Sequence, residues 1–435
     1  MNPIKSAIRL GLLTILILMI NPGFTNSDEQ KSYDQLWTEI ESLTAQGLPL
    51  SALQKLDAVQ RKASAEKNGS QLLRSALYRF SLWQSFEEDH LIKSIDFAHQ
   101  QLQQLQSPDR ELMHSILAGL YTFYYQQNRQ IILSRTDLSE SISSDIREWD
   151  LARFRNTIAH HYESSIRAQA RMDSVPLKAY SPILIKVPEE AFLTQPSLFD
   201  FVATRALDYY LSKDAGLQDV APAAALSDDR WWQPAAAFAT LPPPRGDHSH
   251  HHAIRLFQKL LASNLTMKNT YALIANELKR FEFLREYYSG AGTTDSLYAD
   301  ALSRLQQRYS NHPASTEVAA QRAAFLIGKN TEKNDQSENR LALALAICEN
   351  AIKAFPESRG AALCKIQLAD ILAKELSINI QRVELPGKAI PAFLSYRNIE
   401  KPAFRIARVT SPELEAIMGI MDVEARTAAL LKLPA

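Results

Sequence analysis

Glycine is scarce in this sequence, at 13 of 435 residues, about 3% where roughly 7% is ordinary. A chain so poor in glycine has few φ > 0 turns and few phosphate-cradling loops, and it leans towards helices. Charge of one sign is also lacking: Lys and Arg total 48, Asp and Glu total 48, and no basic stripe stands out. That removes the electrostatic basis for binding nucleic acid. Cysteine is rarer still, with Cys348 and Cys364 alone, so no disulfide framework organises the fold. G-x-S-x-G, a Walker loop, H-E-x-x-H and C-x-x-C are all missing. The expectation is a protein that is not an enzyme and takes no cofactor, with proteins rather than nucleic acid as partners.

Long apolar runs are missing too, except near the start. Lys5 and Arg9 precede an apolar stretch from Leu10 to Ile20, followed by Asn21-Pro22-Gly23 and the small residues Thr25-Asn26-Ser27. This basic, apolar, small-residue order is that of a signal peptide over residues 1–27, too short for a comfortable span. The expectation is an exported protein, periplasmic or extracellular, that meets a membrane only through this segment if it is retained.

What is present is helical periodicity. Leu36, Trp37, Ile40 and Leu43 share one helical face, and Gly47-Leu48-Pro49 ends that helix. The stretch 51–67 returns with Leu53, Leu56 and Val59 inward, which makes an αα-hairpin. Helical patterns continue over 71–86, 90–105, 110–127, 147–167 and 197–211, and the stripe Leu120-Tyr121-Phe123-Tyr124-Tyr125 reads as core. Residues 177–196, with Pro182, Pro188 and Pro196, read as a long connection or a short strand. Residues 216–252 hold Trp231-Trp232 and Pro242-Pro243-Pro244 and read as an extended connector. It would join a helical block over 28–215 to a second over 253–375.

The second block repeats itself. Ala301-Leu302-Ser303-Arg304-Leu305 precedes Tyr309 and Pro313, and 43 residues later Ala344-Leu345-Ala346-Ile347-Cys348 precedes Ile352 and Pro356. Ser315 and Ser358 follow, each leading a helix with small residues: Ala319-Ala320 with Ala323, and Ala362-Leu363 with Ile366. Such spacing resembles the tetratricopeptide class, in which small residues let antiparallel helices approach closely. At Leu376 the period changes to two. Three strands are expected over 376–383, 391–396 and 403–409, then a helical tail over 413–433. Three strands make no stable sandwich. The fold class is mainly α, an antiparallel helical-hairpin (tetratricopeptide-like) array followed over 376–435 by an incomplete β-sandwich start.

Few residues invite chemistry. Asp247-His248-Ser249-His250-His251-His252 concentrates imidazoles. A metal site needs ligands held by neighbours, and a polar connector holds none, so a solvated loop is expected. His160 and His161 are adjacent on a helix, diverge by about 100°, and cannot serve one site. Trp231-Trp232 is read as an anchor for the connector rather than an exposed aromatic platform. Cys348 and Cys364 fall on the two helices of one hairpin, as a disulfide or as two buried thiols.

Several segments, in order, resemble the N-terminal region of large bacterial α2-macroglobulin-family proteins. They are Tyr33-Asp34-Gln35-Leu36-Trp37 with Gly47-Leu48-Pro49-Leu50-Ser51-Ala52-Leu53, Asp145-Ile146-Arg147-Glu148-Trp149-Asp150-Leu151, and Leu198-Phe199-Asp200-Phe201-Val202-Ala203-Thr204-Arg205-Ala206-Leu207-Asp208. Ala351-Ile352-Lys353-Ala354-Phe355-Pro356 fits as well. Val383-Glu384-Leu385-Pro386 and Leu394-Ser395-Tyr396-Arg397-Asn398 resemble the start of the family's first β-sandwich. The resemblance implies an envelope inhibitor that entraps endopeptidases after cleavage of a bait region, in many members with a C-x-E-Q thioester. Neither cysteine here matches that motif: Cys348 is followed by Glu349-Asn350-Ala351 and Cys364 by Lys365-Ile366-Gln367. Two expectations of function stand: the N-terminal helical portion of such an inhibitor, lacking bait region and thioester, or a free-standing helical-repeat scaffold for protein partners. N-terminal sequencing of the exported protein should find it starting near Ser27; material beginning at Met1 contradicts the signal peptide.

Overall fold

Helix starts and stops are written locally. Ser32 accepts from the Gln35 amide while the Gln35 side chain accepts from the Ser32 amide, a capping box that opens helix α1 (Tyr33–Ala45). Gly47 takes φ +72°, the left-handed conformation that ends the turn, and Pro49 opens α2 (Pro49–Glu66) at a position needing no amide donor. Lys67, also left-handed, closes α2 before α3 (Gly69–Gln84). Turns this short between packed helices reverse the chain, and α1 packs on α2, α2 on α3 and α3 on α4 (His90–Leu102). Leu36, Trp37, Ile40, Ala52, Leu56 and Val59 form one buried cluster, with Leu53 packed against it.

The protein is represented by a computed structural model that describes residues 31–135, 143–184, 187–216, 226–291, 293–329, 337–380 and 391–434. The expected signal peptide lies outside the described residues. The chain divides into two compact units between Val318 and Ala319. The first continues with α5 (Asp109–Gln127), α6 (Leu151–Ser165), α7 (Leu198–Leu211), α8 (Ser249–Met267), α9 (Thr270–Tyr287) and α10 (Thr294–Arg308). The division falls inside α11 (Ser315–Lys329), so the first expected repeat, α10 with α11, straddles it. The second repeat is α12 (Ser337–Ala354) with α13 (Arg359–Leu372). Ala319, Ala320, Ala323, Ala344, Cys348, Ala351 and Cys364 form the core of the second unit, small residues where helices come close.

Several local expectations are corrected. Residues 147–150 precede the helix: Ile146–Glu148 is a 3₁₀ turn, and Asp150 caps the Arg153 amide to start α6. Of the two readings of 177–196, the described residues show the long connection and not the strand: it holds a 3₁₀ segment, Leu177–Ile183, and a short helix, Ala191–Thr194, and an isolated bridge between Pro176 and Ser197 flanks it. Phe123 is exposed, pointing away from the face that buries Tyr121 and Tyr125. On α13, Ala361 and Cys364 face inward, leaving Leu363 and Ile366 in solvent.

The largest correction concerns the expected connector. Residues 217–225 lie outside the described residues. Beyond them Asp229–Trp232 is a 3₁₀ turn and Ala235–Phe238 a short helix, with Trp231, Trp232 and Phe238 buried. This segment is core, as the anchoring of the tryptophans requires. Arg280 on α9 holds it down from within. Fully buried, it pairs with Glu277, donates to the carbonyls of Trp231 and Gln233 (the latter at 2.8 Å), and lies 4.1 Å from the Phe238 ring centroid. Glu277 Oε1 accepts the Ala235 amide at 2.7 Å. Burial lowers the Arg280 pKa, and the Glu277 carboxylate pushes it back. Removing one partner of a buried pair costs about 3–5 kcal/mol. Glu277→Ala should therefore lower unfolding free energy by about that much in urea titration. The double change Glu277→Ala, Arg280→Met should recover little, since it leaves two carbonyls and one amide buried and unpaired.

Candidate functional site

The second unit ends in a small antiparallel sheet of β1 (Glu375–Ile380) and β2 (Ala392–Arg397), with Glu375 opposite Arg397 and Ile380 opposite Ala392. Residues 381–390, including Val383, lie outside the described residues. In a strand, alternate side chains take opposite faces. One face therefore carries Leu376, Ile378 and Ile380 against Tyr396, Leu394 and Ala392; the other carries Glu375–Arg397, Ser377–Ser395 and Asn379–Phe393. Among the described residues nothing covers the apolar face. Ile378 is 47% exposed and Tyr396 52%.

Two residues tie the sheet to the helix before it. Arg397 pairs with Glu375 at 2.6 Å and also donates to the Asp370 carbonyl. Asn398, left-handed at φ 56°, donates through Nδ2 to the carbonyls of Ile371 (2.7 Å) and Ala373 (2.9 Å). The sheet thus satisfies carbonyls left open at the C-terminus of α13. The third expected strand does not form: residues 401–410 join no ladder among the described residues. An alternating pattern makes a strand only where a neighbour offers hydrogen bonds, and no described neighbour pairs with this one. Phe404 and Ile406 remain exposed. The helical tail does form, as α14 (Ser411–Met418) and α15 (Val423–Leu431).

The histidine run is not a solvated loop. His248 caps α8, its Nδ1 accepting the His250 amide, and residues 249–252 are the first helical turn. His252 is buried, stacked 4.5 Å from Tyr210 and bonded to Asp247 at 2.8 Å. His250 packs on Tyr287. Stacking on rings from α7 and α9 made the stretch helical, a signal that spacing within the run does not carry. Burial holds the His252 pKa below the usual imidazole range, with Asp247 opposing. Among the described residues no group of three or more His, Cys, Asp or Glu is placed to hold a metal ion.

Both cysteines are free, buried thiols that face each other between α12 and α13. A hydrogen bond from Cys364 draws the Cys348 pKa down, while the same bond, then burial and the Cys348 charge, push Cys364 up. Cys348 in turn lies 3.4 Å from Gln367 Oε1.

His160 and His161 diverge as helical geometry requires: His160 is exposed and His161 buried. His161 joins partners that sequence alone does not reveal. Its Nδ1 lies 2.9 Å from His114 Nδ1 on α5, and its ring stacks on Tyr121, whose hydroxyl meets His99 Nε2 at 2.9 Å. Burial, then the charges of His114, His99 and His160, lowers the His161 pKa to about 3; His114 falls to about 4, chiefly by burial. The unfolded chain therefore takes up protons on His161 near pH 6.5 that the folded chain refuses until about pH 3. Stability from this residue is complete above pH 6.5 and is lost as pH falls towards 3. His161→Phe should reduce the loss of stability between pH 7 and pH 5 by about 2 kcal/mol, read from urea midpoints at the two pH values.

No protein-family model matches the chain, no curated protein matches its sequence, and no solved structure matches its fold.

Proposed function

We propose that this chain is the N-terminal helical portion of an α2-macroglobulin-like endopeptidase inhibitor of the bacterial envelope. The observation that carries the reading is the two-stranded sheet with its apolar face open, seated on the end of the last repeat helix. Two strands alone are marginal in water, and an apolar face needs a second layer. A first β-sandwich growing from this seed supplies that layer. The ordered segments named above, from Tyr33 to Asn398, support the same assignment.

In this reading the helical units are a folded base, and trapping belongs to parts of an inhibitor that these residues do not contain. Neither cysteine sits in a thioester motif; each is a buried helix-contact residue. The second reading, a free-standing scaffold for envelope proteins, draws on the hairpin array itself, since stacked helix pairs make extended binding surfaces.

An antibody raised against residues 31–318 and used on native envelope fractions separates the two. The inhibitor reading expects a product much longer than 435 residues. Incubated with an endopeptidase, that product should leave cleavage of small peptides intact while blocking cleavage of large proteins. A product of this chain's own length that protects no protein substrate favours the scaffold and overturns the inhibitor.

A further inference from the structure

Among α3, α5, α7 and residues 177–184 lies an apolar slot that side-chain packing leaves open. Its volume is about 550 Å³, within the roughly 300–1,000 Å³ of small-molecule sites. Leu77 and Phe80 line it from α3, Ile116 and Leu120 from α5, and Phe201 from α7. The space is open to solvent on one side, a groove rather than an interior void.

Of the side chains lining the slot, one is charged: Arg205. Its Nε donates to Ser115 Oγ at 3.0 Å, its Nη2 approaches the Ser115 carbonyl at 3.4 Å, and its guanidinium lies 5.7 Å from the Phe201 ring centroid. Among the described residues no carboxylate pairs with it, and its Nη1 has no acceptor. The other polar group on the wall is already committed, since the Tyr180 hydroxyl donates to Asp109 Oδ1 at 2.7 Å. Gly119 stands inside α5, where glycine weakens a helix. A Cβ there would come within 2.9 Å of Arg205 Nη2, so its absence makes room for the guanidinium at the wall.

We propose that the slot binds a free long-chain carboxylic acid, its alkyl chain among the leucine and phenylalanine side chains and its carboxylate on Arg205. Charge complementarity selects this ligand. Apolar walls with a single half-exposed cation that no described carboxylate pairs suit one tail with one negative charge. A guanidinium fork matches a carboxylate through paired N–H donors. A two-chain phospholipid would set a bulkier head and a second chain against the same lone cation. This site is independent of the inhibitor reading.

The test is calorimetric titration of the folded chain with decanoate, laurate and myristate below their micelle concentrations. One site per chain is expected, with affinity rising about tenfold for each two added methylenes. Dodecanol, which has the chain without the charge, should bind at least about tenfold more weakly than laurate. Arg205→Gln should erase that preference, and Arg205→Lys should keep part of it. Ile116→Trp, which fills the slot and leaves Arg205 in place, should abolish binding while helicity by circular dichroism is retained. Several outcomes overturn the proposal: no saturable binding by the wild-type chain, equal binding of laurate and dodecanol, or laurate binding unaltered in Ile116→Trp. Tighter binding of lysophosphatidylcholine than of laurate would also overturn it, by making the ligand a phospholipid.

Discussion

A guanidinium buried to zero exposure, Arg280, is the constraint around which the C-terminal half of the first unit is arranged. A charge so placed must be met by an opposite charge and by hydrogen-bond acceptors. Glu277 supplies the charge, and the Trp231 and Gln233 carbonyls supply the acceptors. Neither carbonyl belongs to a long helix, so the segment between α7 and α8 has to come to Arg280. Once there, Trp232 stacks on Phe281 and Phe238 meets Trp231 edge-on. Such a pair adds little net stability, since desolvation offsets most of the attraction. Its effect is on geometry: the carbonyls are held in one place because leaving them unpaired costs more.

The same polar logic runs on from α9 to α7. Asn276, beside Glu277, donates to Asn264 Oδ1 on α8, and Asn264 donates to Asp200 Oδ1 on α7 at 2.7 Å. Asp200 closes a capping box with Ser197 and is itself buried, and burial raises its pKa. A helix start, which normally faces water, is here enclosed, and its cap is satisfied by a side chain from another helix. Three helices are thereby fixed in register by a chain of hydrogen bonds through an otherwise apolar interior. α7 presents Phe201 and Arg205 to the apolar slot one turn and two turns beyond that cap. The wall of the slot is thus positioned from the polar spine.

The parts of this architecture legible in the sequence are those that local rules govern. Leu36, Trp37, Ile40 and Leu56 repeat at helical spacing and are buried where that spacing puts them. Gly47 and Pro49 mark a real reversal, and the change of period at Leu376 marks real strands. Where distant partners decide, local pattern fails. Residues 231–238 read as connector because they lie in an Ala- and Pro-rich stretch, yet Arg280 and Glu277, about forty residues on, draw them into the core. His251 and His252 look like solvated polarity, and only Tyr210 and the start of α8 show otherwise. The His99–His114–His161 cluster spans three helices. The slot beside Arg205 is assembled from segments more than a hundred residues apart, none of which carries a motif.

The sheet shows how a repeat array can hand over to a different fold. A helix ends with four carbonyls that need donors. At the end of α13 some of these are answered by Arg397, the last residue of the second strand, and by Asn398, just beyond it. The chain must therefore run out along β1 and come back along β2 before the helix is capped. This fixes the register of Glu375 on Arg397 and, through it, the whole pairing. Because side chains alternate, the same register gathers Leu376, Ile378, Leu394 and Tyr396 onto one face. A one-residue slip would scatter them and would also uncap the helix. The apolar face is thus specified by a polar requirement at the helix end. It is offered at a fixed position whatever protein layer comes to cover it.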